Sequence, residues 1–225
     1  MKAGKYNIPQ SVQNILEGLE SSGFEAFLVG GCVRDLFLNK TPKDWDITTN
    51  ATPEEIQEVF PDSFYENTFG TVGVKTDDED ETLKVIEITP YRLESEYSDH
   101  RHPDSVSFSK NIKDDLSRRD FTINAMALSK GHIVDLYKGQ ENLEAKVIRT
   151  VGDPKERFEE DALRIMRAVR FSAELGFIIE SETAKAISEL GNLLERVSRE
   201  RIREEFKKMI MSDNPMIGIV MLQKL

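Results

Sequence analysis

At 225 residues, with 39% hydrophobic and 32% charged side chains, the chain can bury one sizeable core, or a domain plus a helical appendage. No apolar run reaches bilayer-spanning length, and the opening MKAGKYNIPQ lacks the apolar segment of a secretory signal. A net charge of −11 argues against indiscriminate nucleic-acid binding, and the single cysteine, Cys32, excludes an internal disulfide framework and suits a reducing cytoplasm.

In chain order, Val12, Ile15, Leu16 and Leu19 recur at helical spacing, and Gly23 closes that helix. Phe27-Leu28-Val29 reads as a buried strand, followed by the pair Gly30-Gly31 and a short helix carrying Arg34 and Asp35. After a proline-containing turn a second strand opens with Asp44-Trp45-Asp46. Side chains alternate faces along a strand, so the two aspartates project to one side. Carboxylates held that close repel unless a cation sits between them. Mg²⁺ is the economical choice, since it is bound by one or two carboxylates plus substrate phosphates. The glycines give a phosphate access to backbone N–H groups at a helix start, with Arg34 adding charge. A lone Gly-Gly is usually a tight turn and a lone Asp-x-Asp usually solvated surface; together on adjacent elements they are far more specific. Neither a G-x-G-x-x-G nor a Walker sequence is present.

Thr52, Pro53 and Glu55 form a capping box that starts a helix. Thr71 to Lys75 and Leu83 to Thr89 read as strands joined by the acidic turn DDEDE. Alternation puts Glu87 with Val85 and Thr89, opposite Ile86 and Ile88; it is either a third carboxylate beside the aspartates or an exposed edge residue. Residues 91–117 read as a long irregular loop, in which Asp99, His100, His102 and Asp104 invite a metal reading without fixed geometry.

Arg118-Arg119-Asp120-Phe121-Thr122-Ile123-Asn124-Ala125 is expected to start a helix. A short strand over His132 to Val134 follows. From Pro154 onward helices are expected over Lys155 to Leu175, Glu182 to Leu194 with Ser181 as N-cap, and Ser198 to Met211. On the first of these Asp161 and Arg164 become neighbours, an arrangement that by itself is most simply a surface ion pair. The domain boundary falls near residue 150, giving 1–150 as a mixed α/β part and 151–225 as a helical part. Residues 1–148 carry 16 Lys+Arg against 27 Asp+Glu, whereas 149–225 carry 14 of each. Polyanion contact is therefore expected toward the C-terminal third, where Arg164, Arg167, Arg170, Arg196, Arg199, Arg201, Arg203, Lys207 and Lys208 cluster.

The segments LVGGCVRDLFL, PKDWDI, RRDFTINAMA, IVDLYKGQENL, IRTVGDP, RFEEDALRIMRAVRF and SRERIREEFKKM resemble, in order and spacing, the motifs of the class II tRNA nucleotidyltransferase/poly(A) polymerase family. The resemblance runs from about residue 24 to 211. It implies an α+β fold: a polymerase-β-like nucleotidyltransferase head over 1–150, with a mixed sheet and helices, followed by an all-helical neck over 151–225 in which the chain ends. It implies that Asp44 and Asp46 hold Mg²⁺ and that Glu87 is the third catalytic carboxylate. Gly30, Gly31 and Arg34 would contact triphosphate, and Arg118, Arg119, Asp120 and Asn124 ribose and phosphate. Asp161 and Arg164 would read the incoming base with Glu160 as orienter, and Arg167 and Arg170 would contact phosphate or nucleotide. The implied chemistry is addition of CMP and AMP from CTP and ATP to the tRNA 3′ end in the cytoplasm. The RNA 3′-hydroxyl attacks the α-phosphate, with two Mg²⁺ ions about 4 Å apart and no covalent intermediate. Neither a membrane nor a protein partner is implied. The runner-up readings are an A-adding enzyme or poly(A) polymerase, and a nucleotide- or RNA-binding module without turnover.

Overall fold

The computed structural model describes residues 6–66, 70–94 and 106–224. They gather into two compact units. The described residues of 1–93, 106–119 and 124–139 make the first; 120–123 and 140–225 belong to the second.

The first unit opens with α1 (Gln10–Ser21), which buries Val12, Ile15, Leu16 and Leu19 on one face. It continues through β1 (Ala26–Val29), α2 (Gly31–Phe37), β2 (Asp46–Thr49) and α3 (Pro53–Val59). Next come β3 (Ser63–Tyr65), β4 (Val72–Lys75), β5 (Val85–Pro90), β6 (Arg92–Glu94) and β7 (Val106–Phe108), then α4 (Ile112–Ser117), β8 (Met126–Ser129) and β9 (His132–Asp135). Seven of the strands form one mixed sheet in the order β3-β4-β5-β2-β1-β8-β9. Within it β2 and β5 run parallel, and the other neighbours are antiparallel. Leu28, Ile47 and Ile88 lie fully buried on its central strands. The capping box at α3 forms as expected: Thr52 accepts from the Glu55 N–H, and the Glu55 carboxylate accepts from that of Thr52.

Three expectations are corrected in this unit. The second strand begins at Asp46, so Asp44 stands on an exposed bend before it. The 91–117 stretch is not wholly irregular: β6 and β7 pair as a two-stranded ladder and α4 follows. Asp99, His100, His102 and Asp104 lie outside the described residues. Finally, RRDFTINAMA does not open an α-helix. It passes through a single 3₁₀ turn (Thr122–Asn124) into β8, every residue of which is buried beside β1. Met, Ala and Leu favour helix locally, and a short apolar run cannot be told from a buried strand by period; pairing with β1 decides it.

The second unit contains α5 (Gly139–Glu144) from its second residue on, then β10 (Val147–Ile148), α6 (Pro154–Glu160), α7 (Leu163–Leu175), β11 (Ile178–Ile179), α8 (Ser181–Leu190), α9 (Arg199–Ile210) and α10 (Pro215–Leu222). Strands β10 and β11 pair in parallel, and α9 and α10 both pack on α7. The single helix expected over Lys155 to Leu175 is broken. Asp161 turns extended (φ −146°, ψ 102°), and its carboxylate accepts from the Leu163 N–H at 3.1 Å. A short acceptor side chain competes with the helical ladder in this way. The N-cap of α8 is Glu180, not Ser181, with its carboxylate accepting from the Thr183 N–H at 2.9 Å.

Beneath this helical packing lies a buried ion pair. The Arg170 guanidinium donates to Glu205 at 2.5 Å and to Glu174 at 2.7 Å, and lies 4.1 Å over the Phe171 ring. Arg170 and Glu205 are only 8% and 5% exposed. Removing one partner of such a pair strands the other charge, which costs about 3–5 kcal/mol. Denaturant unfolding of Glu205→Ala is therefore expected to show a loss of that size; a loss below about 1 kcal/mol, the scale of a surface pair, would mean the pair does not hold α7 to α9.

Candidate active site

In the first unit, β1 ends at Gly30, whose φ of +79° a side chain would strain. A Cβ added there would stand 3.0 Å from Arg119 Nη1 and 3.5 Å from Asp46 Oδ2. The glycine thus lets a cation and a carboxylate close in on one turn at the start of α2. Arg34, on that helix, donates through Nε to Asp35 and through Nη1 to the side-chain Oδ1 of Asn124, both at 2.9 Å. Two residues ninety positions apart in sequence are thereby brought together.

Asp46 opens β2 directly opposite Glu87 on β5 in the parallel register. Burial raises the Asp46 pKa, and Asp44 adds to it, while Arg119 pulls the other way. Burial also raises Glu87, helped by Asp46, Glu66 and Asp44. Neighbouring carboxylates thus add to the shift of both Asp46 and Glu87, repulsion that a cation would relieve. Among the described residues no three His, Cys, Asp or Glu side chains are gathered so as to hold a metal ion by themselves. The donors suit a hard divalent cation that completes its shell with substrate phosphate and water.

Arg118 and Arg119 share one partner that sequence reasoning did not single out. Asp115, fully buried, accepts from Arg118 Nε at 3.1 Å and Nη2 at 2.5 Å, and from Arg119 Nε at 3.3 Å and Nη2 at 2.9 Å. Burial alone would raise this carboxyl, but the guanidiniums of Arg119 and Arg118 outweigh it and hold it below the usual carboxylate range. The available signal was an acid three and four residues ahead of an arginine pair.

In the second unit, Asp120 accepts from Arg167 Nε at 2.7 Å, and its other oxygen accepts from the Phe121 N–H at 2.7 Å. Burial opposes the Arg167 charge, but Asp120, Glu205 and Asp161 raise its pKa regardless. Glu160 accepts from Arg157 and from Arg164 Nη1, the latter at 2.6 Å; Arg164 also donates to the Arg157 carbonyl at 3.1 Å. The expected placing of Asp161 and Arg164 on one helix is corrected, because Asp161 sits at the break. Its carboxylate is forked by Arg201, from Nη1 at 3.2 Å and Nη2 at 2.8 Å. Arg201 was visible in the sequence only as one member of a cationic cluster. Arg170 is bound between Glu205 and Glu174, as described above.

The family model described as the poly A polymerase head domain matches residues 26–149. The chain belongs to the tRNA nucleotidyltransferase/poly(A) polymerase family. A second model, described as a probable RNA- and SrmB-binding site of polymerase A, matches residues 176–225. Among curated family members, the CCA-adding enzyme of Lactobacillus helveticus is 52% identical over 197 residues, covering 87% of this chain and 48% of that protein. That of Pediococcus pentosaceus is 48% identical over 219 residues, covering 94% and 54%. Of solved structures, the Bacillus stearothermophilus CCA-adding enzyme in complex with CTP aligns at TM-score 0.85 and 37% identity, covering 96% of this chain and 52% of that one. The Thermotoga maritima CCA-adding enzyme complexed with tRNA aligns at TM-score 0.77 and 28% identity, covering 95% and 50%. The chain spans about half the length of the curated relatives it matches. The family uses divalent metal ions, in keeping with the paired carboxylates. Among the described residues no helix is long and apolar enough to cross a membrane.

Proposed function

We propose that the protein is a template-independent RNA nucleotidyltransferase that adds CMP and AMP, from CTP and ATP, to the 3′ end of tRNA. The observation that carries this reading is Asp46 set opposite Glu87, with Arg119 and the Gly30 turn beside the same carboxylate. Carboxylates, a guanidinium and a side-chain-free turn are what metal-assisted phosphoryl chemistry needs in one place. The names of the curated relatives supply the substrate class.

Asp44 and Asp46 would hold Mg²⁺, with Glu87 as the third acid. When bound, Mg²⁺ polarises the α-phosphate and offsets charge on the attacking and leaving oxygens. Gly30, Gly31 and Arg34 receive the triphosphate, with Arg118 and Arg119 adding cationic donors. Asn124, fixed by its bond from Arg34, is assigned to the ribose. The RNA 3′-oxygen bonds to the α-phosphorus as the bond to the β-phosphate bridging oxygen breaks, and pyrophosphate leaves. We assign the head to residues 1–150 and the neck to 151–225. In the neck, Asp161 and Arg164 read the base, and Glu160 orients Arg164. Asp120 holds Arg167 for nucleotide contact. Arg170, nearly buried between two carboxylates, acts in packing more than in nucleotide contact. The working compartment we assign is the cytoplasm, where a chain with one buried cysteine is at home.

Pyrophosphate release by the native protein tests the reaction. One pyrophosphate is expected for each nucleotide joined to RNA, and none with RNA ending in a 3′-deoxynucleotide. Phosphate or pyrophosphate release that ignores the RNA 3′-hydroxyl would make the protein a nucleotide hydrolase instead.

A further inference from the structure

Helix α4 is fixed to the sheet by Leu116, which packs against Val29 and Ala127 with Ile112 beside it. That packing buries the preceding residue, Asp115, completely, under the last turn of the helix and the two arginines that follow. One carboxylate then takes four N–H donors, an Nε and an Nη2 from each of two neighbouring guanidiniums. Arg118 thus forks Oδ1 and Arg119 forks Oδ2, and these charge-assisted bonds to one buried anion leave little rotational freedom to either arginine. For Arg119 the consequence can be located. With Nε and Nη2 engaged, Nη1 is carried to within 3.0 Å of the point where a Cβ of Gly30 would stand.

We infer that Asp115 is the positioning residue of the phosphate clamp: it holds Arg119 over the Gly30 turn, and Arg118 beside it, so that a polyphosphate meets donors already in place. The inference rests on the reading of the Gly30 turn as the triphosphate site. Asp115 touches no substrate itself. An arginine released from Asp115 keeps its charge but must be ordered when the ligand arrives, and that ordering subtracts from affinity. The deficit falls on the phosphates beyond the first, because only a ligand carrying them reaches the clamp.

The test is the ratio of affinities for CTP and CMP, each measured with Mg²⁺ on the folded chain. In Asp115→Asn one acceptor oxygen and an NH₂ group replace two acceptors, so at least one fork is lost. Loss of a supporting partner of this kind typically costs 10–100-fold in ligand affinity at metal sites, and about 10-fold or more is expected for CTP with CMP changed less than about two-fold. In an Arg118→Ala/Arg119→Ala background the same substitution is expected to leave the CTP/CMP ratio unchanged. Equal weakening of both ligands, or a further fall in the double-arginine background, would make Asp115 structural only and overturn the inference. Arg119→Lys serves if Asp115→Asn does not fold: charge is retained, but the fork is not. It is expected to lower the ratio too, and a native ratio would equally overturn the inference. A wild-type chain that bound CTP no more tightly than CMP would refute the triphosphate site itself, a result distinct from either.

Discussion

Replacing Asp46 by alanine or asparagine is expected to abolish nucleotide addition while leaving the protein as stable as the native form, or more so. The two halves of this expectation share one cause. Burial and the neighbouring Asp44 raise the Asp46 pKa, and Arg119 offsets that only in part. A carboxyl whose folded pKa is raised contributes stability that is full below its unfolded pKa and is lost as pH climbs from there through the folded value. The ionised form of Asp46 is therefore a cost to the fold, one that a bound cation would relieve. Removing it should lower turnover by at least about 10³-fold, beyond the loss of a single donor to a transition state. Asp44→Ala should match it closely if, as proposed, both acids serve the same metal, since losses within one unit do not add. Turnover and thermal unfolding of the same preparations check both halves. A mutant that turned over at a near-native rate would remove the metal assignment, and one that unfolded easily would make Asp46 a structural residue.

The second large effect concerns the choice of base. Cytosine and adenine each present an amino donor beside a ring-nitrogen acceptor; uracil and guanine present a carbonyl oxygen beside a ring N–H. A carboxylate and a guanidinium side by side therefore suit the first two and oppose the others. Arg201 occupies one lone pair on each Asp161 oxygen, and the Leu163 N–H takes a second on Oδ1. The carboxylate is left with a fixed plane and room on Oδ2 for one more donor. Each mismatched buried group costs about 1–3 kcal/mol, so two of them give discrimination of roughly 10²-fold or more. Asp161→Ala is expected to lose most of that preference, read as kcat/KM for all four nucleotides. Arg201→Ala, which lets the carboxylate turn, should move the ratios in the same direction by a smaller factor. Undiminished rejection of UTP and GTP by Asp161→Ala would mean that the base is read elsewhere.

Local chemistry in the sequence was enough to place the residues on which these expectations rest, but not their pairings. Alternation along β5 put Glu87 on the face opposite Ile86 and Ile88, and the register with β2 then set it against Asp46. The Gly-Gly turn, the capping box of α3 and the amphipathic α1 were each legible because their signals lie within a few residues. What escaped depends on distant partners. The strand character of Met126 to Ser129 comes from pairing with β1, against local helical preference. The break at Asp161 comes with its carboxylate accepting from the Leu163 N–H at the start of the next helix, while Arg201, forty residues on, forks the same carboxylate. Asp115 and Glu205 were not singled out, because nothing in a charged stretch marks which acid the packing will bury.

The most direct measurement is a product ladder on tRNA ending in the discriminator base, run with the native protein. The account predicts extension by two cytidines with CTP alone, none with ATP alone, and CCA with both, the reaction stopping there. A run of adenosines from ATP alone, or no extension under any of the three conditions, would contradict it.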